Sequence, residues 1–475
     1  MGYRAARGVW AAQGGAAAAD SFRGSCRTVG MTTRNDRTRL WAPPALLAAV
    51  VAVAAGLALA PQAARAQTYT DVSDKHWCRG KIDWVTNQGP AGSKLLDDHG
   101  QQFRPDREIT RGQLASALVI ASGHHGDTID PVDIADVPPS HPRYHDIQVA
   151  LKLKLMSGFE DGFHPGVEAK AWQVDRAVMR MLRRMNPADD FSMLTALAPG
   201  SWRPVSGWKT GAPRYFPSQV AVRYLGLHYN HPYGQEGQEV SPRQTIDRDE
   251  VAYVFYTALH LSAWQIDSLT KFKSVTFPRM TARQKTIVSY AFKYIGYPYV
   301  YAGEYPTKDS PYGAQAHGGF DCSGFVWYVL KMHFGYRINE RVAADMAATA
   351  RPRITRAKLV PGDMIFWGPN GPQSKASSIY HAGMYLGRGW FIHSTGSADG
   401  VSLASLNWDG WSWKSDFAWG RRVLKAGQFY APTTADLGEP VPADVVPPMF
   451  ASDGSVVSPP PFGSVGDMPA TPSAP

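Results

Sequence analysis

Residues Gly318–Leu330 read GGFDCSGFVWYVL. A short polar segment meets an apolar run in which Phe325, Val326, Val329 and Leu330 recur at helical spacing. Asp321 is a favoured N-cap residue, so the spacing predicts a helix that opens at Cys322 and buries its far side. A thiol in the first turn has a chemical consequence, because the partial positive charge of a helix N-terminus favours the thiolate. A cysteine so placed falls from a pKa of ~8.5 to roughly 3.5–7.5 when a cation or histidine assists. The N–H groups of that first turn also suit a carbonyl oxygen that gains negative charge. The competing reading is a capped core helix with an incidental cysteine, and the stretch alone does not separate the two.

The flanking segments supply what a nucleophile needs. Upstream, TARQKTIVSYAFKYIG predicts an amphipathic helix with Ile287, Tyr290, Ala291, Tyr294 and Ile295 on one side. YPYVYAG follows, and then a Gly/Pro/Ser-containing loop, residues 304–320. Downstream, LVPGDMIFWG reads as a Pro-Gly turn into a strand, and YHAGMYLG and WFIHST as two strands joined at Gly387-Arg388-Gly389. A hairpin centred on Arg388 sets position 383 opposite 393 and brings His381 near His393. One histidine could then act as base while the other fixes its tautomer. Two histidines on adjacent strands also suit a structural role or a metal, for which Cys322 would be a third ligand. The nucleophile reading is preferred, and neither metal nor cofactor is expected.

The motifs DCSGF, PGDMIFW, HAGMYLG and FIHS, in this order and spacing, resemble the NlpC/p-sixty cysteine peptidases, with YPYVYAG before and FAWGRRVL after them in agreement. The resemblance covers residues 281–424. It implies an α+β papain-like domain in which the cysteine helix packs on an antiparallel sheet that carries both histidines. It also implies hydrolysis of peptidoglycan stem peptides, usually between γ-D-glutamate and a diamino acid. By position it makes Cys322 the nucleophile, His381 the general base and later acid, His393 the orienting member and Tyr299 an oxyanion donor. Asp321 and Ser323 match positions that hold the substrate's polar end, and they also suit N-cap and first-turn hydrogen bonding. The chain departs from the family at Ala302-Gly303, where the family has Gly-Gly, and in the longer loop 304–320, which lies beside the nucleophile.

Residues 67–260 carry a weak internal repeat, with units at about 67–125, 130–190 and 212–260. Each has a helical apolar run, a Gly/Asp/Asn turn, an apolar-x-Pro loop and a second helix that opens at Thr110-Arg111, Val174-Asp175-Arg176 or Ile246-Asp247-Arg248. Asp71-Val72, Phe103-Arg104-Pro105, Asp136-Val137 and Asp161-Gly162-Phe163 recur in a pattern that resembles S-layer homology domains. That likeness implies a mostly α-helical, three-lobed module that grips an anionic secondary cell-wall polymer through Arg111, Arg176 and Arg248; a scaffold without polymer binding is the other reading. His124-His125, in SGHHGD between units, reads as a solvated loop, with no metal expected.

The rest of the chain sets the context. Its 475 residues exceed one ordinary core, and 44% hydrophobic with 19% charged residues describes a globular protein. A net charge of +9 suits anionic partners, but no basic stripe with interleaved aromatics supports nucleic acid. Arg34, Arg37 and Arg39, an apolar run from Ala45 to Ala60, and Ala64-Arg65-Ala66 form the layout of a secretory signal, with cleavage expected after Ala66 and a start at Met31 in view. The run is shorter than a spanning helix of ~20 residues, so no stable membrane span is expected after cleavage. Cleavage would leave Cys78 and Cys322, too few for a disulfide framework, with Cys78 placed in a helical core. Residues 261–280 read as a linker and 425–475 as a disordered Pro-rich tail. The combined expectation is a secreted, wall-associated bacterial endopeptidase. The alternatives are a non-catalytic wall-binding protein, or a muramoyl-L-alanine amidase or acyltransferase on the same fold.

Overall fold

The computed structural model describes residues 69–96, 100–198, 208, 210–408 and 412–433, with a short strand pair at 449–450 and 456–457. The expected leader, residues 1–66, and most of the expected tail lie outside the described residues. Among the described residues no helix is long and apolar enough to cross a membrane. The described residues belong to one compact unit.

The N-terminal part is three units of two consecutive helices each, whose helices pack across the units. The first is α1 (Arg79–Asn87) and α2 (Arg111–Ala121), the second α3 (Tyr144–Lys152) and α4 (Ala171–Met185). After the short α5 (Met193–Ala196), the third is α6 (Phe216–Tyr224) and α7 (Arg248–Leu259). Short extended segments before α2, α4 and α7 bridge in a closed ring: Thr110 to Glu168, Lys170 to Thr245, and Glu108 to Asp247. In the first two units an aspartate seals the loop before the second helix. Asp71 accepts from the N–H groups of Phe103 and Arg104 at 2.9 and 2.7 Å, and Asp136 from those of Phe163 and His164 at 2.7 and 2.6 Å. Each carboxylate thus satisfies two loop donors where the chain turns through positive φ at Arg104 or His164. Cys78 is fully buried as the residue before α1, and its thiol donates to the Asp249 carbonyl at 3.1 Å.

The ring fixes a register that differs from the sequence expectation in the second unit. The first N–H of each second helix reaches the neighbouring unit: Arg111 to Val167 O, Ala171 to Gln244 O and Arg248 to Arg107 O, at 2.8, 2.9 and 3.0 Å. Ala171 therefore holds the place of Arg111 and Arg248, and Arg176 lies five residues further on, inside α4.

The expected linker 261–280 is part of the core. It forms α8 (Ala263–Asp267) and a 3-10 turn, Ser268–Ser274, and buries Ile266, Leu269, Phe272 and Phe277. Phe272 packs against Tyr224 on one side and Trp390 and Trp408 on the other, so one apolar core runs from the helical module into the C-terminal part. That part begins with α9 (Ala282–Phe292), capped reciprocally by Thr281 and Gln284. The segment after Tyr299 folds into two small antiparallel ribbons, β1 (Glu304–Tyr305) with β4 (Gly319–Phe320), and β2 (Asp309–Ser310) with β3 (Gly313–Ala314). Then come α10 (Cys322–Trp327), a π-helical turn to His333, and α11 (Ala343–Ala348). Strands β5 (Met364–Trp367), β6 (His381–Gly387), β7 (Trp390–Thr395), β8 (Gly400–Ser405) and β9 (Phe417–Arg421) make an antiparallel sheet in the order β8-β7-β6-β5-β9. With α10 packed on β6 and β7, this is the α+β papain-like arrangement. The first residues after Leu424 pack back on α9, where Thr281 Oγ1 donates to Gln428 O at 2.6 Å and Arg279 stacks on Tyr430.

Candidate active site

Local chemistry sets the start of α10. The Asp321 carboxylate accepts from Gly324 N–H at 2.6 Å, which caps the helix. The approach to Cys322 is pinned from behind: Val300 N–H reaches the Phe320 carbonyl at 3.3 Å, and Ser394 Oγ on β7 donates to the same oxygen at 2.6 Å. Cys322 is half-buried, and its sulfur accepts from the backbone N–H of Ala382, the residue after His381. The sulfur of the nucleophile candidate is thus placed beside the residue that follows the first histidine.

The hairpin β6–β7 brings the two histidines together. Met384 pairs with Ile392, the register that a turn centred on Arg388 predicts, and Gly383 lies close to His393. His381 Nε2 lies 2.8 Å from His393 Nδ1, and His393 Nε2 lies 3.4 Å from Ser402 Oγ on β8. Gly383 makes room for this, since a Cβ there would sit 3.2 Å from His393 Cβ. The rings of Trp367 and Trp413 stand 5.2 Å from His381, and Trp413 and Phe391 stand 4.8 and 4.9 Å from His393.

This aromatic enclosure governs the charges of the two imidazoles. Burial pushes the His381 pKa down to about 3. Burial, and then the neighbouring His381, hold His393 well below the usual imidazole range. Burial and the adjacent Asp321 push the Cys322 thiol up to about 12, outweighing the N–H groups of Ala382 and Ser323 and the cation of Arg341. The lowered thiol expected from the helix N-terminus is therefore not found. The α-helical stretch is six residues long, its cap is itself a carboxylate, and the site is desolvated. Thiol and imidazole rest in their neutral forms. Tyr299 bridges Phe320, and its phenol is pushed upward by burial and by Cys322 and Asp321, so it stays a proton donor.

Asp321 and Ser323 are engaged inside the protein. Ser323 Oγ donates to Asp321 Oδ1 at 3.0 Å, and Arg341 binds Asp321 Oδ2 at 3.0 Å, Ser323 Oγ at 3.0 Å and Glu304 Oε2 at 2.8 Å. Arg341 also donates to the Ala302 and Gly303 carbonyls at 3.1 and 3.0 Å. It ties the cap of α10 to the start of the loop 304–320, and sequence reasoning missed it because INERVA carries no local signal. Ser402 was missed likewise; its alternation on β8 was the available cue.

The three arginines of the helical module do not converge. Arg111 is buried: it donates to Phe163 O and Ser157 O at 2.8 and 2.9 Å, with its guanidinium over the rings of Phe159 and Phe163. Arg248 is buried likewise, donating to Phe103 O at 2.9 Å and stacking on that ring. Both lock a loop of the neighbouring or preceding unit, whereas Arg176 is half-buried on α4.

Comparison with known proteins agrees with this division. Residues 296–419 match the model of the NlpC/P60 family, and residues 133–168, the second helical unit, match that of the S-layer homology domain. The chain is similar to Protein P54 of Enterococcus faecium, 34% identical over 122 residues, covering 26% of this chain and 20% of that one. It is also similar to the gamma-DL-glutamyl hydrolase of Bacillus subtilis, 31% identical over 128 residues, covering 27% of each. The peptidoglycan endopeptidase RipB of Mycobacterium tuberculosis is 34% identical over 134 residues, covering 27% of this chain and 51% of that one. The chain thus spans between a fifth and about half the length of these relatives. Among solved structures, a NlpC/P60 family protein from Bacillus cereus is 26% identical, covers 32% of this chain and 42% of that one, and has a TM-score of 0.25.

Proposed function

We propose that this protein is a cysteine endopeptidase of bacterial peptidoglycan, held at the cell surface by its S-layer-homology part, and that it cuts stem peptides between γ-D-glutamate and a diamino acid. The observation that carries the reading is the relay of Cys322, beside the Ala382 N–H, with the His381–His393 contact of 2.8 Å. The NlpC/P60 match over this region and the peptidoglycan and γ-glutamyl hydrolases among the relatives support the reaction class.

In this reading His393 Nε2–H donates to Ser402 Oγ, and His393 Nδ1 accepts from His381 Nε2–H. The lone pair of His381 Nδ1 is then left to take the thiol proton. His381 takes the Cys322 proton as the sulfur attacks the amide carbon, so no standing thiolate is needed. The oxyanion receives the Cys322 N–H and the Tyr299 hydroxyl. As the C–N bond breaks, His381 passes the proton to the leaving amine. Water, deprotonated by the same nitrogen, then frees the acyl group from sulfur. Asp321 and Ser323 fix the first turn, and in this reading they also border the substrate's polar end. Anchoring falls to an anionic wall polymer. Of the three arginines we assign polymer contact to Arg176, since Arg111 and Arg248 close loops.

The test is the mass of products released from diaminopimelate-type peptidoglycan by the protein and by Cys322→Ala. Cleavage after γ-D-glutamate, lost in the variant, is expected. Release of whole stem peptides from glycan would mean an amidase, and transfer of the acyl group to an added amine an acyltransferase. No product, with both proteins still sedimenting with the wall, would mean a binding protein.

A further inference from the structure

The connection from α2 to α3 contains Ser122-Gly-His-His-Gly-Asp127, which neither the wall-binding nor the hydrolytic reading uses. It folds back on the first turn of α3. There His125, His145 and Asp146 each offer one ligand atom, and these atoms lie within 4.8 Å of one another. His125 Nδ1 is 2.7 Å from Asp146 Oδ1, and His145 Nδ1 is 3.6 Å from the same oxygen. A tetrahedral zinc site with nitrogen and oxygen ligands at ~2.0–2.2 Å has ligand-to-ligand edges of about 3.3–3.5 Å, between those two separations.

The tautomer of His145 is the second observation. Its Nε2 lies 2.8 Å from the carbonyl oxygen of Asp127, which only accepts, so Nε2 carries the proton. In the neutral ring Nδ1 then presents a lone pair toward the lone pairs of a carboxylate oxygen, an opposition that either a proton on Nδ1 or a metal cation between them resolves. A histidine whose far nitrogen is fixed on a backbone carbonyl is also the usual support of a metal ligand. His125 is within hydrogen-bond distance of Asp146, whereas His145 Nδ1, at 3.6 Å, is beyond it. The loop is further braced by His124 Nδ1 on Asp127 Oδ2 at 2.8 Å. The Asp146 side chain is 10% exposed, whereas those of His125 and His145 are 63% and 46% exposed, so solvent reaches the open side and can supply a fourth ligand.

We propose that His125, His145 and Asp146 bind a divalent transition-metal ion of the zinc class. The ion would clamp the connection after α2 to α3 and so fasten the first helical unit to the second. Imidazole with carboxylate suits zinc and its neighbours rather than calcium, which takes oxygen ligands.

The test uses the full chain carrying Cys322→Ala, which removes the Cys322 sulfur as a competing ligand. Titration with zinc chloride in a calorimeter, with thermal unfolding in zinc or in EDTA, should show one site and a higher melting temperature in zinc. His125→Ala should weaken binding at least 10-fold without changing the melting temperature in EDTA, because that side chain is mostly exposed. His145→Gln and Asp146→Asn should do the same to binding. No saturable zinc binding would overturn the proposal, as would binding that all three variants leave intact, which would place the ion elsewhere. Calcium should give no heat; calcium binding in place of zinc would overturn it too.

Discussion

Acid should destabilise this protein through the histidine pair, and His381 sets the size of the effect. His381 is 7% exposed, and burial takes its pKa from 6.5 down to about 3. As pH falls, the unfolded chain protonates this ring near 6.5, whereas the folded chain does so only near 3. The unfolded state therefore binds more protons across that window. The stability from keeping His381 neutral is whole above pH 6.5 and is lost as pH drops toward 3. At about pH 4.5 the ring alone accounts for a loss of about 2–3 kcal/mol, from ~1.4 kcal/mol per pH unit. His393, lowered by the same burial, adds a loss of the same sign. The assay is urea unfolding followed by tryptophan fluorescence at about pH 7 and about pH 4.5, for the native protein and His381→Gln. Glutamine is uncharged and keeps a donor for His393 Nδ1. The carboxylates common to both proteins cancel in the difference. The variant should lose about 2 kcal/mol less than the native protein on acidification. Equal losses would refute the argument that the aromatic enclosure holds His381 neutral.

Arg341→Met should lower stability by about 3 kcal/mol, because it strands the Asp321 and Glu304 carboxylates at partly buried positions. Arg341→Lys should recover less than half in a thermal melt, since one ammonium cannot span both carboxylates and two carbonyls. Ala302 adopts φ of 55°, where a side chain costs ~1–2 kcal/mol and glycine loses about 0.5–1 kcal/mol in chain entropy. Ala302→Gly should therefore raise stability by about 0.5–1 kcal/mol in urea titration. Gly383→Ala places a methyl group 3.2 Å from His393 Cβ and 3.3 Å from the Trp367 ring. It should cut the rate of the proposed stem-peptide hydrolysis about 10-fold or more at saturating substrate, with little change in KM, through displacement of the histidine pair.

What the sequence made legible was mostly local. An N-cap and an apolar stripe placed Cys322 at a helix start, and a glycine turn with alternating strands placed His381 against His393. Each signal spans a dozen residues or fewer. The misreadings came where distant contacts decide. Unit two offers Asp175-Arg176 as a match to the arginine signature, but the ring of backbone bonds between units sets the register and puts Ala171 there. The thiol's pKa was misread because α10 alone predicts a lowered value, whereas the burial that raises it comes from packing of α10 on the distant strands β6 and β7. Segment 261–280 did carry a cue, Ile266, Leu269 and Phe272 at intervals of three, which is the spacing of a 3-10 turn with one buried side.

That buried segment changes how the two halves relate. Arg223 on α6 of the helical module, fully buried, binds both the carboxylate and the carbonyl of Asp399 and donates to the Gly296 carbonyl at 2.6 Å. Asp399 sits in the turn that joins β7, which carries His393, to β8, which carries Ser402. On the other side, Ser241 Oγ donates at 3.2 Å to the carbonyl of Gly318, four residues before Cys322. The helical module thus supports both the turn behind the histidine relay and the strand that delivers the thiol. A module that served only to reach the wall would need a flexible tether and no such contacts. Here the helical module is also part of the scaffold of the site, and changes that loosen it should be felt at the histidines.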